Sequence, residues 1–314
     1  MTNILFIGGA GFIGSNLIQA FVGNSQYKIY VYEPNFANIS RITHYNEDIT
    51  IIRGSLDDFE NLKKLILTND IEIVVHLVST LLPGSSYNDY KNEFETVIFP
   101  TINLMSLCSE LKIKLVFFSS GGTVYGNSTN EKFCESDILA PISYYGLSKQ
   151  IIENNILFEH RTKKMEYLIL RPSNPYGPGQ SLFANQGLIA VSLGKIINKE
   201  PITIWGDGNS IRDYIYIDDL SKIFFNLIDN GIKNEIVNIG SGEGHSINDV
   251  ITIFKNILPK SFEVEYEKSR KVDVTNMVLD ISLLRSITKF IPTPLEIGIQ
   301  KFYNQLKSTL NGNV

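Results

Sequence analysis

The feature that most constrains the fold is a glycine-rich turn near the amino terminus. An apolar stretch over residues 4–7 leads directly into Gly8-Gly9-Ala10-Gly11-Phe12-Ile13-Gly14, and apolar positions with helical spacing follow over residues 13–22. Glycines three residues apart permit a tight turn, a close approach of the backbone to a pyrophosphate and close packing of the helix on the strand. The helix N-terminus adds free N–H groups and the positive end of the helix dipole. This strand–turn–helix unit predicts a dinucleotide site formed by Gly8, Gly11, Phe12, Ile13 and Gly14.

Strand and helix patterns alternate through the first half of the chain. Strands rich in β-branched and aromatic residues are predicted at residues 29–32, 49–52, 71–77, 115–118 and 167–170. Such strands, separated by helices, imply a parallel sheet that is covered on both faces. We therefore predict a Rossmann-type, doubly wound α/β fold. Residues 1–173, with returning segments near 212–240, should form the dinucleotide-binding domain, and residues 174–314 mainly a smaller substrate-binding region.

Composition limits the classes of partner and the compartment. The net charge of −5 is spread without a basic block, which argues against nucleic acid or an anionic membrane as the main partner. Cys108 and Cys134 make neither a metal-ligand spacing nor a disulfide framework, so we expect no metal. No apolar run reaches membrane-spanning length, and the first residues lack the charged region of a signal peptide. We expect a cytoplasmic protein.

A tyrosine and a lysine four residues apart are the strongest candidates for catalysis. Tyr145 and Lys149 should share one face of a helix. An ammonium beside a phenol favours the phenolate, so we expect the pKa of Tyr145 to be lowered and the side chain to act as a base. The segment Ser119-Ser120-Gly121-Gly122-Thr123-Val124-Tyr125-Gly126 follows a strand upstream of this pair. A nucleotide site, hydroxyl groups at a strand end and then Tyr/Lys is the order expected of a hydride-transfer enzyme.

An acidic residue ends the second predicted strand. Glu33 stands where a carboxylate grips the hydroxyl groups of the adenosine ribose. Its negative charge would repel a 2′-phosphate, so the sequence favours NAD over NADP.

Taken together, these motifs resemble the extended short-chain dehydrogenase/reductase family, in its nucleotide-sugar epimerase/dehydratase branch, and are most similar to UDP-glucose 4-epimerases. The resemblance covers nearly the whole chain. Further motifs that carry it are Val75-His76-Leu77, Leu170-Arg171-Pro172-Ser173-Asn174-Pro175-Tyr176-Gly177, Arg212-Asp213-Tyr214-Ile215-Tyr216-Ile217-Asp218-Asp219 and Asn238-Ile239-Gly240-Ser241-Gly242.

The resemblance implies roles for individual residues. Tyr145 would be the acid/base at the sugar, and Lys149 would hold the nicotinamide ribose and lower the pKa of the tyrosine. Other implied cofactor contacts are Leu77, Val78, Ser119 and Pro172. The nucleotide sugar would be bound by Asn174, Gly187, Leu188, Trp205, Arg212, Arg270 and Asp273, with the two arginines at the diphosphate.

The chain departs from the family pattern in places that bear on the substrate. Gly121 stands where the family has Ser or Thr, so the hydrogen bond to the sugar oxygen should come from Thr123, with Ser120 or water as the next choices. Gly54-Ser55 replaces a Gly-Asp pair, which weakens the expected adenine contact or moves it to Leu56 and Asp58. Val97 replaces an expected asparagine.

Three functions remain open at this point. The first is NAD-dependent epimerisation at C4 of a nucleotide-diphospho-sugar, a UDP-hexose by default. The second is a 4-keto reductase or 4-dehydrogenase acting on a dTDP-, GDP- or UDP-linked sugar, and the third is a non-catalytic NAD-binding protein. The resemblance also implies a homodimer built on residues 101–111 and the helix of Tyr145, where Leu104, Leu107, Ile151 and Ile152 fit either the interface or the core.

Overall fold

The computed structural model describes residues 1–127, 130–184, 186–258, 261–268 and 276–311. The strands are β1 (Thr2–Ile7), β2 (Tyr27–Glu33), β3 (Ile49–Arg53), β4 (Ile73–His76), β5 (Lys114–Phe118), β6 (Tyr167–Pro172), β7 (Asn174–Tyr176), β8 (Ile202–Trp205), β9 (Ile211–Tyr216), β10 (Glu235–Ile239), β11 (Gly244–Ser246), β12 (Val264–Glu267) and β13 (Asn276–Met277). The α-helices are α1 (Phe12–Gln19), α2 (Phe59–Thr68), α3 (Tyr87–Glu93), α4 (Phe99–Leu111), α5 (Tyr144–Lys163), α6 (Leu188–Asn198), α7 (Ile217–Asp229), α8 (Ile247–Ile257), α9 (Ser282–Thr288) and α10 (Leu295–Asn311).

A seven-stranded parallel sheet forms the centre of the molecule. Its strand order is β3-β2-β1-β4-β5-β6-β10. The order reverses between β1 and β4, and the crevice outside the carboxyl ends of these strands is where α/β proteins bind ligands. The prediction of a Rossmann-type α/β fold is confirmed. The last strand, β10, comes from the second half of the chain and pairs with β6.

Both faces of the sheet are covered by helices. Successive residues of β1 point to opposite sides, so Ile4 and Phe6 join the core with α1 and α7, whereas Leu5 and Ile7 join the core with α2, α4 and α5. Leu104, Leu107 and Ile152 are buried in this second core, and Ile151 packs against it. Of the two readings of these four positions, the structure therefore supports the core.

The helix before β5 is interrupted by a π-helical turn. Ser86 and Asp89 form a capping box that starts α3, and the turn over Phe94–Ile98 joins α3 to α4. A π-helical turn inserts one extra residue, which changes the face that the preceding side chains present. Glu93 is the last residue before this turn.

The second half of the chain adds a smaller layer above the carboxyl edge of the sheet. Strand β9 pairs with β7, β11 and β13, and β8 pairs with β12. Helices α6, α8 and α10 pack with these strands around a separate apolar cluster. Across the part of the chain that is described, no helix is both long and apolar enough to cross a membrane.

Candidate active site

The glycine-rich loop lies between β1 and α1. Gly8 has φ +81, and a Cβ atom there would lie 3.0 Å from Val78 Cγ2, so the loop packs against the segment that follows β4. A Cβ on Gly14 would lie 2.5 Å from the carbonyl oxygen of Gly9, which shows how closely α1 approaches the loop. Gly11 caps α1 without a side-chain acceptor, so the N–H groups of the first turn, at Phe12 and Ile13, face the crevice uncapped.

The end of β2 is tied to this loop. Glu33 is buried, and its Oε1 accepts a hydrogen bond of 2.5 Å from the backbone N–H of Ala10. Burial raises the pKa of Glu33, and the Ala10 hydrogen bond and the charge of Arg53 oppose the increase. The carboxyl group thus lies beside the glycine-rich turn at the end of β2, and its contact with the adenosine ribose stays a prediction.

The two residues that we expected to contact adenine make other contacts within the protein. Leu56 is buried in the core with α2, and the side chain of Asp58 accepts a hydrogen bond of 3.2 Å from the Asn61 N–H as the N-cap of that helix. The structure therefore offers no independent support for the adenine contact expected at these two positions.

The crevice fits a dinucleotide. The uncapped start of α1 suits a pyrophosphate, and the closely packed glycine loop leaves the backbone exposed to it. The buried hydroxyl of Ser119, at the end of β5, has no hydrogen-bond partner among the described residues. The residues that would hold the cofactor come from the ends of β1, β2, β4, β5 and β6: the glycine loop, Glu33, Leu77, Val78, Ser119 and Pro172.

Tyr145 and Lys149 lie in the first two turns of α5, on the face that points to the end of β5. Ser143 caps the helix by accepting a hydrogen bond of 3.2 Å from the Gly146 N–H. The ammonium of Lys149 donates a hydrogen bond of 3.0 Å to the carbonyl oxygen of Phe118 and lies 5.6 Å from the centre of the Tyr145 ring. Lysine has three donors, so the group can hold a ligand hydroxyl while it keeps this bond.

The pKa of Tyr145 is raised, whereas we expected from the sequence that it would be lowered. Burial raises the pKa of the phenol, a hydrogen bond with Ser120 lowers it and the charge of Glu93 raises it. Lys149 lies over the ring and donates to a backbone carbonyl, which explains why it does not lower the pKa of Tyr145 as we expected. Burial lowers the pKa of Lys149 itself to about 8, against the opposing charges of Glu93 and Glu153.

The hydroxyl beside the phenol comes from Ser120 rather than from Thr123. Ser120 hydrogen-bonds Tyr145, whereas the Thr123 hydroxyl is buried and has no partner in the described part of the chain. The assignment of the sugar oxygen to Thr123 stays a prediction, and Ser120 is the hydroxyl group that contacts the phenol. The reason is the path of the loop after β5, which the sequence pattern does not specify.

Packing explains the glycine at position 121. A Cβ atom on Gly121 would lie 2.7 Å from Leu279 Cδ1 and 2.8 Å from the carbonyl oxygen of Arg171. A Cβ on Gly122 would instead have its nearest neighbours in the crevice, Asn174 Oδ1 at 3.7 Å and Ser120 Oγ at 3.9 Å. Position 121 thus faces the core and position 122 faces the site. Asn174 also donates a hydrogen bond of 2.8 Å to the Asp213 carbonyl, which fixes its amide at the mouth of the site.

The other predicted substrate residues lie on the smaller layer. Gly187, with φ +94, and Leu188 form the start of α6. Trp205 ends β8 and is 39% exposed, and Arg212 lies on β9 with its Nη1 donating a hydrogen bond of 2.9 Å to the Ile211 carbonyl. Arg270 and Asp273 lie outside the described residues. Within the described ranges, no group of three His, Cys, Asp or Glu side chains could hold a metal ion.

Comparison with known proteins now identifies the family. The NAD dependent epimerase/dehydratase family matches residues 4–240 of the chain. The chain belongs to this family. Since its members are NAD-dependent enzymes, the predictions of an enzyme and of NAD as the cofactor are confirmed.

The relatives of this epimerase/dehydratase family member include more than one activity. A putative UDP-glucose 4-epimerase of Methanocaldococcus jannaschii is 33% identical over 306 residues, which are 97% of this chain and 98% of that protein. A dTDP-4-dehydro-6-deoxyglucose reductase of Escherichia coli is 32% identical over 310 residues, 97% of each chain. The crystal structure of Thermotoga maritima UDP-glucose 4-epimerase with UDP-glucose superposes with a TM-score of 0.90 at 28% identity, covering 98% of this chain and all of that one.

Sequence reasoning missed one charged residue of the site of this family member. Glu93 is 1% exposed, and its carboxylate contributes to the pKa of both Tyr145 and Lys149. It lies on a short helix more than fifty residues before the Tyr/Lys pair in the chain. Only the capping signal at Ser86 and Asp89 indicated a helix there, and nothing in the pattern indicated that Glu93 points inward.

Proposed function

We propose that this protein is a C4 epimerase of a nucleotide-diphospho-sugar, with a UDP-hexose as the first substrate to test. The observation that carries the proposal is the cluster of Tyr145, Lys149 and Ser120 at the carboxyl edge of the sheet, beside a loop built for a pyrophosphate. Bound NAD would accept a hydride from C4 of the sugar and return it to the opposite face.

The side chains of the cluster supply the proton chemistry. Tyr145 as phenolate takes the proton of the C4 hydroxyl group and later returns it to the C4 oxygen. Ser120 donates a hydrogen bond to that oxygen, and Lys149 holds the cofactor ribose. Because the raised pKa of Tyr145 disfavours the phenolate in the free protein, the base should form efficiently only once cofactor and substrate fill the site.

Binding of the nucleotide is assigned to the smaller layer. The start of α6 at Gly187 and Leu188, together with Trp205 and Arg212, would hold the diphosphate and the base, and the family resemblance implies that Arg270 and Asp273 join them. Contacts distant from C4 allow the sugar to turn over while the nucleotide stays bound. Residues 1–173 with the returning strands would bind the cofactor, and residues 174–314 mainly the nucleotide sugar.

A 4-keto reductase is the second candidate, and one observation favours it. The reductase of Escherichia coli is 32% identical across 97% of the chain, nearly the same identity as that of the putative epimerase. The two functions differ in whether the cofactor leaves the site, because an epimerase keeps NAD bound and a reductase exchanges it. The carboxylate of Glu33 at the ribose position disfavours an NADPH-dependent reductase.

The experiment combines two measurements on the purified protein. Denaturation followed by mass spectrometry identifies any retained nucleotide, and incubation with UDP-glucose, UDP-galactose and their N-acetylated forms is followed by chromatography and by NADH absorbance. Stoichiometric NAD and isomerised sugar without net NADH change support the epimerase. Turnover only with added NADH or NADPH and a 4-keto sugar would replace it by the reductase, and NAD without any turnover would support a non-catalytic protein. Tyr145→Phe serves as the inactive control.

We also propose that the protein is a cytoplasmic homodimer. Helices α4 and α5 pack side by side and carry exposed aromatic residues, with Phe99 56% and Phe158 52% exposed. Two copies of this surface could form a four-helix bundle. Light scattering after gel filtration gives the mass, and a monomeric mass at micromolar concentration would refute the dimer.

A further inference from the structure

A buried carboxylate lies behind the Tyr/Lys pair. Glu93 Oε1 accepts hydrogen bonds from Ser79 Oγ at 3.0 Å and from Ser148 Oγ at 3.4 Å. Its Oε2 accepts one of 2.9 Å from the Thr80 N–H and another from the Thr80 hydroxyl. The carboxylate thereby connects α5, which carries Tyr145, to the segment after β4 that lines the cofactor crevice.

The negative charge of Glu93 is not cancelled by these bonds. All of the donors to its carboxylate are neutral. Burying a carboxylate costs free energy unless a cation nearby compensates its charge. Glu153 differs, because Arg171 Nε and Nη2 donate to its two oxygens at 3.0 and 2.6 Å. Among the described residues no cation is in ion-pair contact with Glu93. Lys149 directly follows Ser148 and is 3% exposed, and the charge of Glu93 raises its pKa against the effect of burial.

The groups that face Lys149 come from several elements. Tyr145 and Glu153 lie on the same helix, and Arg171 on β6 neutralises Glu153. His76 on β4 is neutral at physiological pH, because burial and the charge of Lys149 lower its pKa to about 3. Glu93 is the larger of the two charges that oppose the burial of Lys149, ahead of Glu153.

We propose that Glu93 is a positioning residue of the active site, whose uncompensated charge keeps Lys149 protonated and in place against the cofactor ribose. The π-helical turn that follows Glu93 adds a residue to the helix at the point where the carboxylate turns inward, and such turns are frequent at functional sites. The inference rests on the proposed function in that Lys149 holds the nicotinamide ribose.

The test uses Glu93→Gln and Glu93→Asp in the enzyme as purified with its cofactor. The first readout is the fraction of NAD retained through gel filtration at a series of pH values, measured after denaturation. The second is the pH profile of kcat/KM for the sugar. In Glu93→Gln, the pH at which NAD is released and the alkaline limb of kcat/KM should both move down by about one pH unit, corresponding to a tenfold change in the protonation equilibrium of Lys149. The acid limb should move in the same direction, because Glu93 also raises the pKa of Tyr145.

Glu93→Asp keeps the charge and should restore both pH midpoints to the wild-type values, even where the level of activity is lower. The matched control is Asp219→Asn, another buried carboxylate, which accepts the N–H and hydroxyl of Thr293 at 2.8 and 3.1 Å on the far helix α7. It should leave both midpoints unchanged.

The outcomes separate this inference from the proposed function. Unshifted midpoints in a folded Glu93→Gln protein, or equal damage by Gln and Asp at every pH, would refute the positioning role. A wild-type protein that retains no NAD and isomerises no sugar would refute the proposed function instead.

Discussion

Two adjacent glycines should respond in opposite ways to the same substitution. Neither Gly121 nor Gly122 has a positive φ, so an alanine fits the backbone conformation at both positions. A Cβ at 121 would lie 2.7 Å from Leu279 Cδ1 and 2.8 Å from the Arg171 carbonyl oxygen, and both distances are shorter than real Cβ contacts. A Cβ at 122 would meet its nearest atom at 3.7 Å, an ordinary contact.

The expected magnitudes follow from these distances. Gly121→Ala should lower the free energy of unfolding by about 1–3 kcal/mol, the usual cost of overpacking, because a strand carbonyl in the sheet cannot move cheaply. Gly122→Ala should be neutral or stabilise by about 0.4–1 kcal/mol, because it only reduces the entropy of the unfolded chain. Urea unfolding gives both values from the midpoints when the m-values agree.

A double-mutant cycle with Leu279→Ala tests which contact causes the effect. Leu279→Ala alone should cost about 2–5 kcal/mol, because Leu279 is fully buried. If its Cδ1 is the obstacle, the double variant should be more stable than the sum of the single changes predicts, by more than about 0.5 kcal/mol. Equal midpoints for Gly121→Ala and Gly122→Ala would refute the argument, and with it the packing explanation for the glycine at position 121.

Three further predictions concern the site and its support. Ser120→Ala should lower kcat by about tenfold to a hundredfold. It should also move the acid limb of the pH profile of kcat to higher pH, because the Ser120 hydrogen bond lowers the pKa of Tyr145. The kcat of Thr123→Val should stay within a few-fold of the wild-type value, and the reverse result would restore Thr123 as the catalytic hydroxyl. Retention of NAD should fall as the pH rises through about 8, because the ammonium of Lys149 is lost there; a retained fraction that stays constant to pH 10 would contradict this. Glu153→Gln should lower the free energy of unfolding by about 3–5 kcal/mol, because it leaves the charge of Arg171 buried without its ion-pair partner. Arg171→Met combined with Glu153→Met should recover most of that loss in urea unfolding, and an equally unstable double variant would contradict this.

The sequence alone determined the features that depend on local spacing. The glycine loop, the apolar strands and the Tyr145/Lys149 pair follow from residues close together in the chain, where the periods of strand and helix decide which side chains share a face. Strand existence was therefore predicted correctly for β1 to β6 of the central sheet, although their ends differ by a few residues, whereas β10 was not predicted as a strand of this sheet.

The tertiary structure decided what depends on residues distant in the chain. Leu279 occupies the space beside Gly121, the end of β5 directs Ser120 rather than Thr123 to the phenol, and burial reverses the expected pKa direction of Tyr145. Glu93 reaches the site only because a π-helical turn and the packing of α3 on α5 bring it there. Steric exclusion, desolvation and Coulomb attraction act between atoms close in space, and a sequence pattern contains no distances between segments that meet only after folding.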